Sequence, residues 1–157
     1  MKGLYFAALA CLTITAHGAP AHSAERDLYP PPVEAAADIA AALKSATVGR
    51  KRVILDFGGN WCTDCHVLDY YFHDPVNKPL LEANFILVHV NIGRLDANLD
   101  IAARYQIPMI RGVPAVAVLN SRGTLLFSQK SGEFEPMRQM QSGAVTAFLQ
   151  RWKRPAS

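Results

Sequence analysis

The residues best suited to chemistry lie in one stretch, Asp56-Phe57-Gly58-Gly59-Asn60-Trp61-Cys62-Thr63-Asp64-Cys65-His66. Two thiols at C-x-x-C spacing can staple a turn, form half of a metal site, or exchange electrons with another disulfide. In the last case the attacking species is the thiolate, so the pair needs a setting that favours negative charge on sulfur. Val53-Ile54-Leu55 opens a buried strand that runs into Asp56-Phe57, and two glycines then permit a sharp turn. The stretch from Cys62 to His73 contains no Gly or Pro and predicts a helix, stopped by Asp74-Pro75. Cys62 therefore arrives at a helix amino terminus, where unpaired N–H groups and the helix dipole stabilise a thiolate. Cys65 follows three residues later, close enough to attack a mixed disulfide formed on Cys62 and release the product.

The neighbours of the pair have functional and plainer readings. Asp56 ends an apolar strand beside Phe57, which suggests a carboxyl removed from water and without a cationic partner. Burial of that kind disfavours the charged form, and a protonated acid near Cys65 can give and take the thiol proton. The plainer reading makes Asp56 a strand-end acid bonded to backbone. His66, one helical turn beyond Cys62, favours a thiolate when protonated, or is a solvated helix histidine. Asp64 opposes negative charge on sulfur. His73 and His89 receive no role.

The elements around this stretch alternate. Glu25 to Pro32 holds three consecutive prolines and reads as an extended leader. Val33 to Thr47 predicts a helix with Ala36, Ile39, Ala40 and Leu43 on one face. A short helix is expected around Lys78 to Ala83, a strand at Phe85 to Ile92, and a helix from Ala97 to Tyr105 capped by Asp96. Ala115 to Leu119 reads as a strand, and Asn120-Ser121-Arg122-Gly123 as a hairpin turn into Thr124 to Ser128. Val145, Phe148, Leu149 and Trp152 follow the spacing of a docked terminal helix. The order α-β-α-β-α-β-β-α describes one α/β domain.

Composition narrows the function classes. The chain has 157 residues, 50% hydrophobic and 18% charged, which suits one folded domain rather than a disordered chain. Sixteen Lys and Arg against thirteen Asp and Glu are dispersed, and no basic run could neutralise a phosphate backbone, so nucleic acid is not an expected partner. Lys2 precedes an apolar run of 14 residues to Ala16, followed by small residues. That pattern fits a secretory signal over residues 1–24 and is shorter than the roughly 20 residues that span a bilayer. Cys11 would leave with it, and the domain at 25–157 would keep fifteen bases against thirteen acids, +2, with Cys62 and Cys65 as its only thiols. Export leads to an oxidising compartment, where a lone close-spaced pair is better suited to exchange than to stapling.

With Asp56 six residues before Cys62, Trp61 immediately before it, and Arg111-Gly112-Val113-Pro114 leading into an apolar strand, the sequence resembles the thioredoxin superfamily over most of the chain after the signal. The Trp-Cys-x-x-Cys pattern is also similar to the carboxy-terminal reductase domain of the inner-membrane electron-transfer protein and to small exported bacterial thioredoxin-like proteins. The resemblance implies a thioredoxin-like α/β fold with a central mixed sheet of about four strands flanked by helices. It implies a periplasmic thiol–disulfide oxidoreductase, with the reductase direction favoured. Cys62, Cys65 and Asp56 would be its catalytic residues. Trp61, Val113 and Pro114 would bind substrate, with a cis proline opposite the disulfide. Protein thiols and disulfides would be the substrates, an upstream membrane-bound donor would re-reduce the pair, and the protein would act as a monomer without cofactor or metal. The sequence departs from thioredoxin at Thr63-Asp64, where thioredoxin has Gly-Pro. It also differs in the longer tract Ile107-Pro108-Met109-Ile110 and at His89, which stands where thioredoxin has a lysine near its buried acid. The competing reading is a copper(I)-binding or metallochaperone module built on Cys62, Cys65 and His66, since soft thiolates suit that ion.

Overall fold

The structure, a computed structural model, describes residues 27–155. The expected signal over 1–24 and Cys11 lie outside the described residues. Four strands form one sheet in the order β2-β1-β3-β4, with β1 at Arg52–Gly58, β2 at Phe85–Asn91, β3 at Ala115–Leu119 and β4 at Leu125–Ser128. β1 runs parallel to β2 and antiparallel to β3. A parallel neighbour requires a crossover, and α2 (Thr63–Phe72) with α3 (Asn77–Asn84) supplies it. β3 and β4 form the hairpin read from Asn120-Ser121-Arg122-Gly123; Asn120 Oδ1 accepts the N–H groups of Arg122 and Thr124, both at 2.9 Å.

β1 is covered on both faces, which is why its sequence is an unbroken apolar run. Val53, Leu55 and Phe57 point to the side of α1 (Ala35–Gly49) and α4 (Leu99–Arg104). Ile54 points to the opposite side, against α2, α3 and α5 (Gly143–Trp152). Because side chains alternate along a strand, Asp56 falls on the Ile54 side, facing α2. Val145, Phe148 and Leu149 dock α5 on that same layer as the spacing requires, with Trp152 partly buried beside them.

Three local expectations shift. The buried face of α1 is Ala35, Ile39, Ala42 and Ala46, with Leu43 at its edge, whereas Ala36 and Ala40 are exposed. In an alanine-rich segment a single isoleucine fixes the phase only loosely. The helix itself begins later than Val33, because Pro32–Glu34 form a 3-10 turn. α4 begins at Leu99 rather than Ala97: Asn98 sits in the left-handed region (φ 53°), and Asp96 Oδ1 accepts the Arg94 N–H at 2.8 Å instead of capping a helix.

Candidate functional site

Cys62 is the N-cap of α2, and its Sγ accepts the Cys65 N–H at 3.2 Å. That is the setting in which backbone dipoles favour charge on sulfur. The two cysteines form a disulfide, with Cys62 5% exposed and Cys65 fully buried. Across from Cys62, the Val113 carbonyl lies 3.9 Å from its Sγ, and the Val113–Pro114 peptide bond is cis. Buried Gln129 donates to the Pro114 carbonyl at 3.0 Å and fixes this loop from β4's far end. Trp61 is 43% exposed, anchored by a 2.6 Å bond from Nε1 to the Gly93 carbonyl, and crossed by the Arg94 guanidinium 5.9 Å from its ring centre. Gly59 is needed here, since a Cβ would meet Trp61 Nε1 at 2.7 Å.

Asp56 is fully buried, which excludes a surface strand-end acid, but the expectation that it lacks a cationic partner is wrong. The register of the parallel pair sets Asp56 beside His89, whose Nδ1 lies 2.9 Å from Asp56 Oδ2. His89 Nε2 lies 3.3 Å from Asp69 Oδ1 on α2, so the imidazole joins two carboxyl groups. Burial alone would lower the His89 pKa. Hydrogen bonds to Asp56 and Asp69, with the charges of both, outweigh burial and raise it to about 9. Burial pushes Asp69 the other way, yet the bond to His89 and the charges of His89, His73 and His66 hold it below the usual carboxylate range. His73, which received no role from sequence, lies at the surface, its Nδ1 bonded to the Asp69 carbonyl at 2.9 Å and 3.1 Å from Asp69 Oδ1.

Two other charged neighbours are engaged elsewhere. Asp64, expected to oppose charge on sulfur, accepts the Arg138 N–H at 2.8 Å and its Nε at 3.0 Å. A cation therefore accompanies that carboxylate. His66 is exposed, and its Nε2 bonds the Asn60 carbonyl at 2.9 Å.

One residue at the centre of the site lies outside every motif legible in the sequence. Tyr29, from the segment read as an extended leader, is 1% exposed and donates its hydroxyl to Asp56 Oδ2 at 2.6 Å. The available signal was an aromatic residue directly before a run of prolines, Tyr29-Pro30-Pro31-Pro32.

The model of the thioredoxin-like family matches residues 34–121, more than half of the chain. The chain belongs to the thioredoxin-like family. A disulphide isomerase from Xylella fastidiosa Temecula1 is similar to it in structure, with a TM-score of 0.74 and 32% identity, covering 79% of this chain and 95% of that one. In sequence it is 32% identical over 128 residues to the thiol:disulfide interchange protein DsbD of Pseudomonas fluorescens. That match takes in 76% of this chain and 19% of the relative, so the chain spans about a fifth of the length of that protein. In this thioredoxin-like chain the cysteine pair and the strand that delivers Asp56 both lie within the matched residues, whereas Tyr29 lies before them.

Proposed function

We propose that the protein is a periplasmic thiol–disulfide oxidoreductase working in the reductase direction on protein disulfides. The observation that carries this reading is the pairing of Cys62 at the α2 N-cap, accepting the Cys65 N–H, with a fully buried Cys65 behind it. The Cys62 thiolate attacks one sulfur of the substrate disulfide, that S–S bond breaks, and the first substrate thiolate leaves and takes up a proton. Cys65 then gives its proton to Asp56 and attacks Cys62 Sγ. The second substrate sulfur leaves, the Cys62–Cys65 disulfide forms, and two electrons have passed to the substrate. Trp61 and the Val113–Pro114 loop flank the sulfur as the docking surface, with backbone groups of that loop pairing with an extended substrate segment.

Export is supported by the charged, apolar and small-residue order of the first 24 residues. Re-reduction would come from a membrane-bound donor, and the protein would act as a monomer. The similarity to an interchange protein and a disulphide isomerase supports the class of reaction. The test is trapping: Cys65→Ser should accumulate mixed disulfides through Cys62, resolved on non-reducing gels and by mass spectrometry. More efficient trapping by Cys62→Ser would reverse the assignment of nucleophile and resolving thiol.

A further inference from the structure

Tyr29 comes from outside the sheet and its helices, yet it packs in one cluster with Cys62 and Cys65. Gly58 shows that its hydroxyl and the sulfur flank one point. A Cβ at Gly58 would overlap the Tyr29 hydroxyl and fall 2.7 Å from Cys65 Sγ, so both atoms line the same side of this glycine, and the hydroxyl's hydrogen bond in the oxidised form goes to Asp56. The same hydroxyl donates to Asp56 Oδ2 at 2.6 Å. Asp56 Oδ1 is buried with no partner among the described residues, so the connections of this carboxyl run through Oδ2, to Tyr29 and His89.

The segment bearing Tyr29 is held by three asparagines, Asn60 in the turn after β1, Asn91 at the end of β2 and Asn98 just before α4. Asn60 accepts the Tyr29 N–H and donates to the Tyr29 carbonyl, both at 2.9 Å. Asn91 donates to the Pro30 carbonyl at 2.8 Å and Asn98 to the Pro32 carbonyl at 2.9 Å. Proline cannot donate from its own nitrogen, so these carbonyls are the groups such a segment can offer.

We propose that the Tyr29 hydroxyl relays the Cys65 proton to Asp56 in the resolving step. The inference rests on the reading of Cys62 and Cys65 as an exchanging pair. As the Cys65 S–H proton moves onto the phenol oxygen, the phenol's own proton moves to Asp56 Oδ2. The phenol ends as it began, Asp56 gains one proton, and the electron pair left on Cys65 Sγ attacks Cys62 Sγ. The substrate sulfur leaves with the electrons of the broken S–S bond. Burial, then the charge and hydrogen bond of Asp56, raise the Tyr29 pKa well above the ordinary phenol range, with Asp69 adding to the effect. The phenol therefore conducts a proton without being left as phenolate. The charged groups facing this relay are Asp56 on β1, His89 on β2 with its ring edge-on to Tyr29 at 5.0 Å, and Asp69 on α2.

Reduced protein mixed with 4,4′-dithiodipyridine separates the steps. A first release of thiopyridone reports attack by Cys62, and a second reports resolution by Cys65. Tyr29→Phe keeps the ring and removes the relay. It is expected to leave the first phase within about twofold and to slow the second by about tenfold or more between pH 6 and 8. Asn60→Ala, which frees the Tyr29 backbone at both hydrogen bonds, is expected to slow the same phase and serves where Tyr29→Phe does not fold. A second phase at the wild-type rate, or equal slowing of both phases, overturns the relay. A wild-type protein with no second phase instead overturns the exchanging-pair reading on which the relay depends.

Discussion

At the residue scale, Asp56 and His89 define how charge is managed beneath the disulfide. The imidazole reaches Asp56 Oδ2 at 2.9 Å and Asp69 Oδ1 at 3.3 Å, and its pKa rises from 6.5 to about 9. The folded state thus holds this proton more tightly than the unfolded chain. Its contribution is fully present below the unfolded pKa near 6.5 and is lost as pH rises through about 9. Urea unfolding of the oxidised protein should therefore show wild type ahead of His89→Gln by on the order of 2 kcal/mol at pH 6, with the gap shrinking towards pH 10. A gap independent of pH would show that the imidazole is not the group responsible. The pairing was half legible beforehand. His89 could be placed where thioredoxin carries a lysine, but Asp69 could not, because it joins the site through helix α2 turning over the sheet.

At the element scale, the turn between β1 and α2 is constrained by what packs inside it. Gly58 is required by space: a Cβ would overlap the Tyr29 hydroxyl and approach Cys65 Sγ to 2.7 Å, and the buried tyrosine and half-cystine leave little room to yield. Gly58→Ala is expected to cost about 1–3 kcal/mol in the oxidised protein, measured by denaturant unfolding, as overpacking does elsewhere. A cost near zero would mean that the segment carrying Tyr29 gives way easily. The strands and α2 were readable because apolar runs and a Gly-Gly turn mark them locally. The role of residues 27–32 was not readable, since their hold on the site depends on Asn60, Asn91 and Asn98, which are distant in sequence. Asp64 shows the same limit. Its partner Arg138 stands 74 positions away, and no local pattern links them.

At the scale of the whole molecule, the sheet order places β1 between a parallel and an antiparallel neighbour, so Asp56, His89 and the Val113–Pro114 loop converge on one end of the sheet near Cys62. On the proposed reading, these groups would serve as a sulfur favoured as thiolate, a buried proton acceptor and a backbone edge for substrate. The central claim is that this assembly makes Cys62–Cys65 an exchanging couple rather than a staple. The most direct measurement is its reduction potential, taken by equilibrating the protein in glutathione or dithiothreitol buffers and following Trp61 fluorescence or thiol alkylation. A reversible two-electron couple near thioredoxin's roughly −270 mV is expected, as a reductase requires. A potential near −120 mV would reverse the direction of electron flow. A pair that does not equilibrate with these buffers, or one below about −300 mV where structural disulfides lie, would contradict the central claim itself.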